Sequence, residues 1–258
     1  MEHTVNKFGV IIPKHITTSY QNFGNEISNS DLFIYLIFTG SKYVLEDKEK
    51  VKADFIELVK DPGNEIAEKL VESVNSGKAD EHLELKTYEQ FYGQMAYART
   101  IDNLLTYFKE ILSEVIIKKP SILKSKETER LDFILKYESI EELQIAIAEK
   151  KIESLFYAGI DKIESYFKDR LGIELFKSAG DKKEFDQAIK NRNLIVHNRG
   201  IISKEYLKEF PDCGMNEGVI MKFSYENISK INGILLNFVA YLDYELATKF
   251  NLDLKENN

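Results

Sequence analysis

Apolar positions along the middle of the chain recur at steps of three and four. Tyr88, Phe91, Tyr92, Met95, Ala98, Ile101, Leu105, Phe108, Leu112 and Val115 follow that rule, which predicts one long amphipathic helix ending before Pro120. A second helix is expected over about Thr128 to Lys136. Ser139 followed by Glu142 is a capping-box signature and opens a third, running to about Tyr157. After Gly159, the residues Ile160, Ile163, Phe167 and Leu171 predict another helix, stopped by Gly172 at a C′ position. A further helix is expected from Asp181, with Glu184 three residues on as a capping pattern, to near Asn198. Gly200 there takes the left-handed conformation past the helix end. Next, PDCGMNEG is turn-rich and VIMKF reads as a short strand. Ile228, Ile231, Leu235, Phe238, Leu242 and Leu246 then mark a last amphipathic helix.

The first 45 residues have a different texture, and helix-compatible residues dominate from about residue 49 onward. FGVIIP and LFIYLIF are short apolar runs that fit either strands or buried helical turns, and LFIYLIF suits a buried element. Asp47 to Val59 and Asn64 to Val74 read as helices broken at Pro62-Gly63. The polar stretch SGKADEHLELK, Ser76 to Lys86, marks a boundary. The expected fold class is all-α. It comprises a helical bundle over 86–250, an N-terminal extension (1–85) of uncertain structure, a short turn or hairpin insertion before the last helix, and a C-terminal tail (251–258).

Composition narrows the class. The chain has 258 residues, is 43% hydrophobic and carries 16 Phe and 14 Tyr, enough for a substantial core. It contains no apolar run of about 18 residues, and its first residues lack the basic start and apolar core of an export signal. A single cysteine, Cys213, leaves no intramolecular disulfide and no cysteine-based zinc cage. The chain is therefore expected to be cytoplasmic and away from membranes. Its formal charge of −8 argues against coating nucleic acid broadly, while leaving room for a local phosphate site. His3, His15 and His82 show no metal-ligand spacing, and neither metal nor cofactor is expected. The aromatics from Tyr88 to Phe108 sit at core spacing. Lys118-Lys119 and Lys124-Ser125-Lys126 are candidate RNA-holding loops or simply solvated ones.

Arginine is scarce, five against thirty lysines, so an arginine in apolar company stands out. KNRNLIVHNRG, Lys190 to Gly200, holds one. On a wheel of about 100° per residue, Phe185, Ala188, Ile189, Ile195 and Val196 form an apolar stripe, and Arg192 falls in its middle. Asn193 and His197, four apart, share a face. A guanidinium there requires an anionic partner, a snorkelling path or a functional cleft. Histidine changes charge near neutral pH and so serves as both proton donor and acceptor. Arginine supplies a permanent planar charge suited to phosphate. The pair fits metal-free attack of an RNA 2′-hydroxyl on the adjacent phosphate. The plainer alternatives are an ion pair between Arg192 and a carboxylate of a neighbouring helix, and a helix-capping His197. Asn198 fits a helix-stop device, and Arg199 either a phosphate contact or a complement to the helix dipole.

RNLIVHNRG resembles the Arg-x-x-x-x-His signature of the HEPN superfamily of α-helical ribonucleases, including the polar residue after the arginine. YARTIDNLLTYFKEIL, KKPSILKSK, IEELQIAIAEKKIESL and IISKEYLKEF also look like HEPN domains of bacterial defence and toxin-like proteins, so that the likeness spans about 86–250. The resemblance implies a HEPN-like bundle that dimerises and places two motifs in one cleft. It makes Arg192 and His197 catalytic and Asn193 and Asn198 supporting, with Lys190 and Arg199 as candidate RNA contacts. The implied activity is endoribonuclease action in defence or stress response on an RNA such as tRNA, with an inhibitor or sensor protein as a further partner. Some relatives carry a tyrosine two residues after the histidine, where this chain has Arg199, which disfavours that subgroup. Arg192 and His197 lie about 140° apart on one helix, and antiparallel pairing of two copies brings the arginine of one to the histidine of the other. The alternative is a non-catalytic dimerisation or RNA-binding module of a larger defence assembly.

Overall fold

The computed structural model describes residues 2–78, 89–123, 128–157 and 159–257. Two short strands, β1 (His3–Val5) and β2 (Ile11–Pro13), pair antiparallel, and β3 (His15–Ile16) leads into α1 (Thr18–Glu46). An arm follows of α2 (Lys48–Val59) and α3 (Glu65–Asn75), and then α4 (Glu89–Lys118). Beyond a 3-10 turn come α5 (Leu131–Ile134), α6 (Ile140–Tyr157) and α7 (Ile160–Tyr166), the last continued by a π turn, Phe167–Leu171. α8 (Ala179–Asn198), α9 (Lys204–Glu209), α10 (Tyr225–Phe250) and β4 (Lys255–Glu256) complete the chain. The fold is all-α, with only minute strands.

Local chemistry accounts for the helix ends. Asp47 and Asn64 cap α2 and α3, so the break at Pro62-Gly63 falls where expected. Ser139 Oγ accepts from Glu142 N at the start of α6. Gly172 takes φ 62° after the π turn. Three expectations need correcting. α8 starts at Ala179, because Ser178 rather than Asp181 is the cap and its hydroxyl accepts from Asp181 N. α5 has only four residues. The VIMKF segment makes one isolated bridge, Ile201 to Ile220, instead of a strand.

α4 is the axis of the molecule and touches α1, α6, α8 and α10. Ile101, Phe108, Ile111, Leu112 and Val115 on it are fully buried. The ring of Phe108 meets Phe167, Phe185 and Phe238 at centroid distances of 5.6–6.2 Å, so one aromatic ties α4 to the π turn, α8 and α10. The N-terminal extension joins this body: Ile16, Tyr20, Phe23 and Ile27 belong to the same core. Polar ties fix the seam. Asn103 donates to Phe23 O, and Thr100 and Asp31 both bond Asn232 on α10. At the start of α1, the buried Asp243 accepts from Thr17 N, Thr17 Oγ1 and Tyr107 Oη. The tail returns to the N-terminus as β4 pairs with β3.

Two apolar stretches are not where periodicity suggests. LFIYLIF forms the middle of α1, yet of Leu32 to Ile37 only Ile34 is buried, and Leu32, Phe33 and Leu36 are more than half exposed. At the start of α4, Phe91 and Met95 are also more than half exposed, whereas Ala98 and Ile101 are buried. The reason is geometric. α4 is about 45 Å long at 1.5 Å per residue, and at its start, among the described residues, α1 and α10 cover the face that carries Ala96, which packs with Ile34 and Ile228, and leave the Phe91–Met95 face open. Tyr88, His82 and most of the boundary segment, like Lys124-Ser125-Lys126, lie outside the described residues.

Candidate active site

The motif occupies the last turns of α8. Phe185 and Ala188 anchor the helix in the core, and Ile189, Leu194 and Ile195 pack beside buried clusters. A hydrogen-bonded chain of polar groups sets its position. Asn191 Nδ2 donates to Tyr97 Oη on α4 at 3.3 Å, Tyr206 Oη on α9 donates to Asn191 Oδ1 at 2.6 Å, and Gln187 Nε2 donates to Tyr206 Oη at 3.0 Å. Burial pushes the Tyr97 phenol up to about 12 and also raises that of Tyr206. Both stay protonated and usable as donors throughout the physiological range.

The helix stops by a left-handed reversal of two residues. Arg199 has φ 54° and Gly200 φ 73°, and Gly200 N closes onto Leu194 O at 2.9 Å, a Schellman-type bond. Glycine is required at 200, since an added Cβ would stand 2.3 Å from Gln94 Nε2. That amide donates to Met221 O, and Met221 N donates back to Gly200 O, both at 2.9 Å. The C-terminus of the motif helix is thereby pinned to α4 and to the segment before α10.

Within this frame each candidate residue has a definite environment. Arg192 is half-buried, and its Nε donates to Asp102 Oδ1 on α4 at 2.7 Å. Its Nη1 donates to Asn193 Oδ1 at 3.1 Å, so the polar residue after the arginine supports the arginine itself. His197 is exposed in the last turn and, among the described residues, makes no side-chain hydrogen bond or ion pair. Asn198 Nδ2 donates to Ile201 O at 2.8 Å, the behaviour of a helix-stop residue. Lys190 is paired with Glu209 at 3.0 Å. Arg199 is exposed and reaches no acid among the described residues. No hydrogen bond within the chain joins Arg192 to His197.

Asp102, Asn191, Tyr97, Tyr206 and Gln94 escaped the reading from sequence. Only Asp102 left a trace there, because an arginine inside an apolar stripe demands an acid without saying which. Next to the motif lies an open groove of about 450 Å³ lined by Phe33, Ile37, Tyr92, Met95, Ile195 and Val196, with Arg99 and Asp102 at its edge. Among the described residues, no group of three or more His, Cys, Asp or Glu side chains is placed to hold a metal ion, and no helix is long and apolar enough to cross a membrane. Compared with known proteins, the chain matches no family model, no curated protein and no solved structure.

Proposed function

We propose that the chain is a HEPN-type endoribonuclease of the bacterial cytoplasm, acting as a homodimer in defence or stress response on a structured RNA such as tRNA. His197 takes the proton of a 2′-hydroxyl, the resulting oxygen attacks the adjacent phosphorus, and the bond from phosphorus to the 5′-oxygen breaks. The imidazolium then returns a proton to that leaving oxygen. The products are a 2′,3′-cyclic phosphate and a free 5′-hydroxyl, and Arg192 stabilises charge on the phosphoryl oxygens.

The observation that carries this reading is the contrast along α8. Among the described residues, an arginine with unused donors sits within an apolar stripe, and five residues on an unpartnered histidine stands open at the helix end. The groove beside them supports the dimer. Phe33, Met95 and Val196 on its walls are each at least half exposed, Leu32 and Leu36 extend the α1 face, and Phe91 lies one turn from Met95. Exposed apolar residues grouped around one groove favour an interaction site there.

The Arg192–Asp102 ion pair supports a second reading, a non-catalytic dimerisation or RNA-binding module, since a salt bridge is a sufficient structural role for the arginine. Incubating pure protein with total RNA and a chelator separates the two. Fragments ending in 2′,3′-cyclic phosphate are expected, and they should vanish in His197→Ala with an unchanged circular dichroism spectrum, because that side chain is exposed. Intact RNA at every protein concentration, or cleavage undiminished in His197→Ala, would defeat the ribonuclease reading.

A further inference from the structure

Asp102 meets Arg192 through one oxygen only. Paired carboxylates and guanidinium groups commonly form two parallel bonds, which maximises the strength of a purely structural bridge. Here Oδ1 takes the Nε proton at 2.7 Å and Asn193 Oδ1 takes one Nη1 proton at 3.1 Å. Oδ2 of Asp102 accepts no hydrogen bond among the described residues. A guanidinium has five N–H donors in a fixed fork, so three remain, one on Nη1 and both on Nη2. All three lie at the terminal end of the group, the end that bonds two oxygens of a phosphate side by side.

The two acceptors that hold the guanidinium approach it from different elements. Asn193 neighbours Arg192 on α8, whereas Asp102 comes from the central helix between Ile101, which is fully buried, and Asn103, which is bonded to Phe23 O. Swinging the guanidinium breaks at least one of the two bonds. The distance between α4 and α8 is itself held by the Asn191–Tyr97 bond. A half-buried ion pair contributes little to stability that an apolar pair of similar size would not match, so stability alone does not account for its form. We infer that Asp102 is a positioning residue, which holds Arg192 by its Nε and presents the terminal fork to the phosphate. This rests on the ribonuclease reading above and adds to it a residue outside the motif.

Three substitutions in the full chain separate position from charge. Asp102→Asn keeps an acceptor in place without the charge, Asp102→Glu keeps the charge and displaces the acceptor by a methylene, and Asp102→Ala removes both. With bulk tRNA as substrate, Asp102→Ala and Asp102→Glu should lower kcat by about 10- to 100-fold with KM nearly unchanged, and Asp102→Asn should recover most of the rate. The Nε–H resonance of Arg192 is tractable by NMR among five arginines and is assigned by its loss in Arg192→Ala. It should stay near its wild-type position in Asp102→Asn and move away from it, toward that of a solvent-exposed Nε–H, in the other two. A higher kcat in Asp102→Ala would show that the carboxylate restrains Arg192, and would overturn the inference. So would an active Asp102→Glu beside a slow Asp102→Asn, which would make charge the decisive property. Loss of cleavage in Arg192→Ala with full activity in Asp102→Ala sinks the positioning role alone. Wild-type cleavage in Arg192→Ala sinks the ribonuclease reading itself.

Discussion

Asp243 is a carboxylate 2% exposed in the seam between α10 and the start of α1. Burial raises its pKa from an ordinary 3.8 to about 6, although hydrogen bonds from Thr17 and Tyr107 pull the other way. The folded state therefore holds this proton more tightly than the unfolded chain does. Below about pH 4 the group is protonated in both states and costs nothing. As pH rises through about 6 the fold must keep a buried anion, and stability is lost until both states are ionised. The distance from 3.8 to about 6, at 1.36 kcal/mol per pH unit, makes that loss about 3 kcal/mol. Asp243→Asn cannot ionise, so its stability should lack this component, even though the amide matches the three donors less well. The check is urea denaturation of both proteins at intervals from pH 4 to 7.5, taking the difference at each pH so that all other carboxylates cancel. The variant should gain on the wild type by about 2.5 kcal/mol across that range. A constant difference, or one that moves in favour of the wild type with rising pH, would refute the claim that desolvation outweighs the three hydrogen bonds.

Other consequences are reached more directly. Phe33→Asp places a charge on the exposed apolar face of α1 and should convert the proposed dimer to monomer in sedimentation analysis with helicity unchanged. An unaltered mass would move the interface elsewhere. Arg199 is a non-glycine residue at φ 54°, so Arg199→Gly should relieve backbone strain of about 1 kcal/mol and raise the thermal midpoint by about 1–3 °C. A lower midpoint would mean that the arginine makes a compensating contact.

Helices α2, α3, α4, α6, α8 and α10 were legible because their signals are local, whereas α1 and α9 were not read as helices. Apolar spacing, the Asp47 and Asn64 caps, the Pro62-Gly63 break and the glycine stops at 172 and 200 act within a turn or two of chain. The same holds for the pattern that singled out Arg192 and His197. Even so, neighbouring signals compete, and at α8 the cap is Ser178, whose hydroxyl accepts from Asp181 N, so that Asp181 falls inside the first turn.

Periodicity says that a face is apolar and is silent on what covers it. LFIYLIF and the Phe91–Met95 turn read as core, yet among the described residues only one side of each helix is covered there, where Ile34 and Ala96 pack with Ile228. The polar contacts that matter most are equally remote from the local pattern. Asp102 lies 90 residues from Arg192, and Thr17 lies 226 from Asp243. From sequence by itself come the helical class, the bounds of α2, α3, α4, α6 and α10 to within a few residues, and the pairing of Arg192 with His197 on one helix. The packing of α1, α8 and α10 around α4 decided which acid meets Arg192, that Asn193 supports it, and that the histidine is exposed. A side chain's partner is set by the distance between helices, and that distance exists only once the chain has folded.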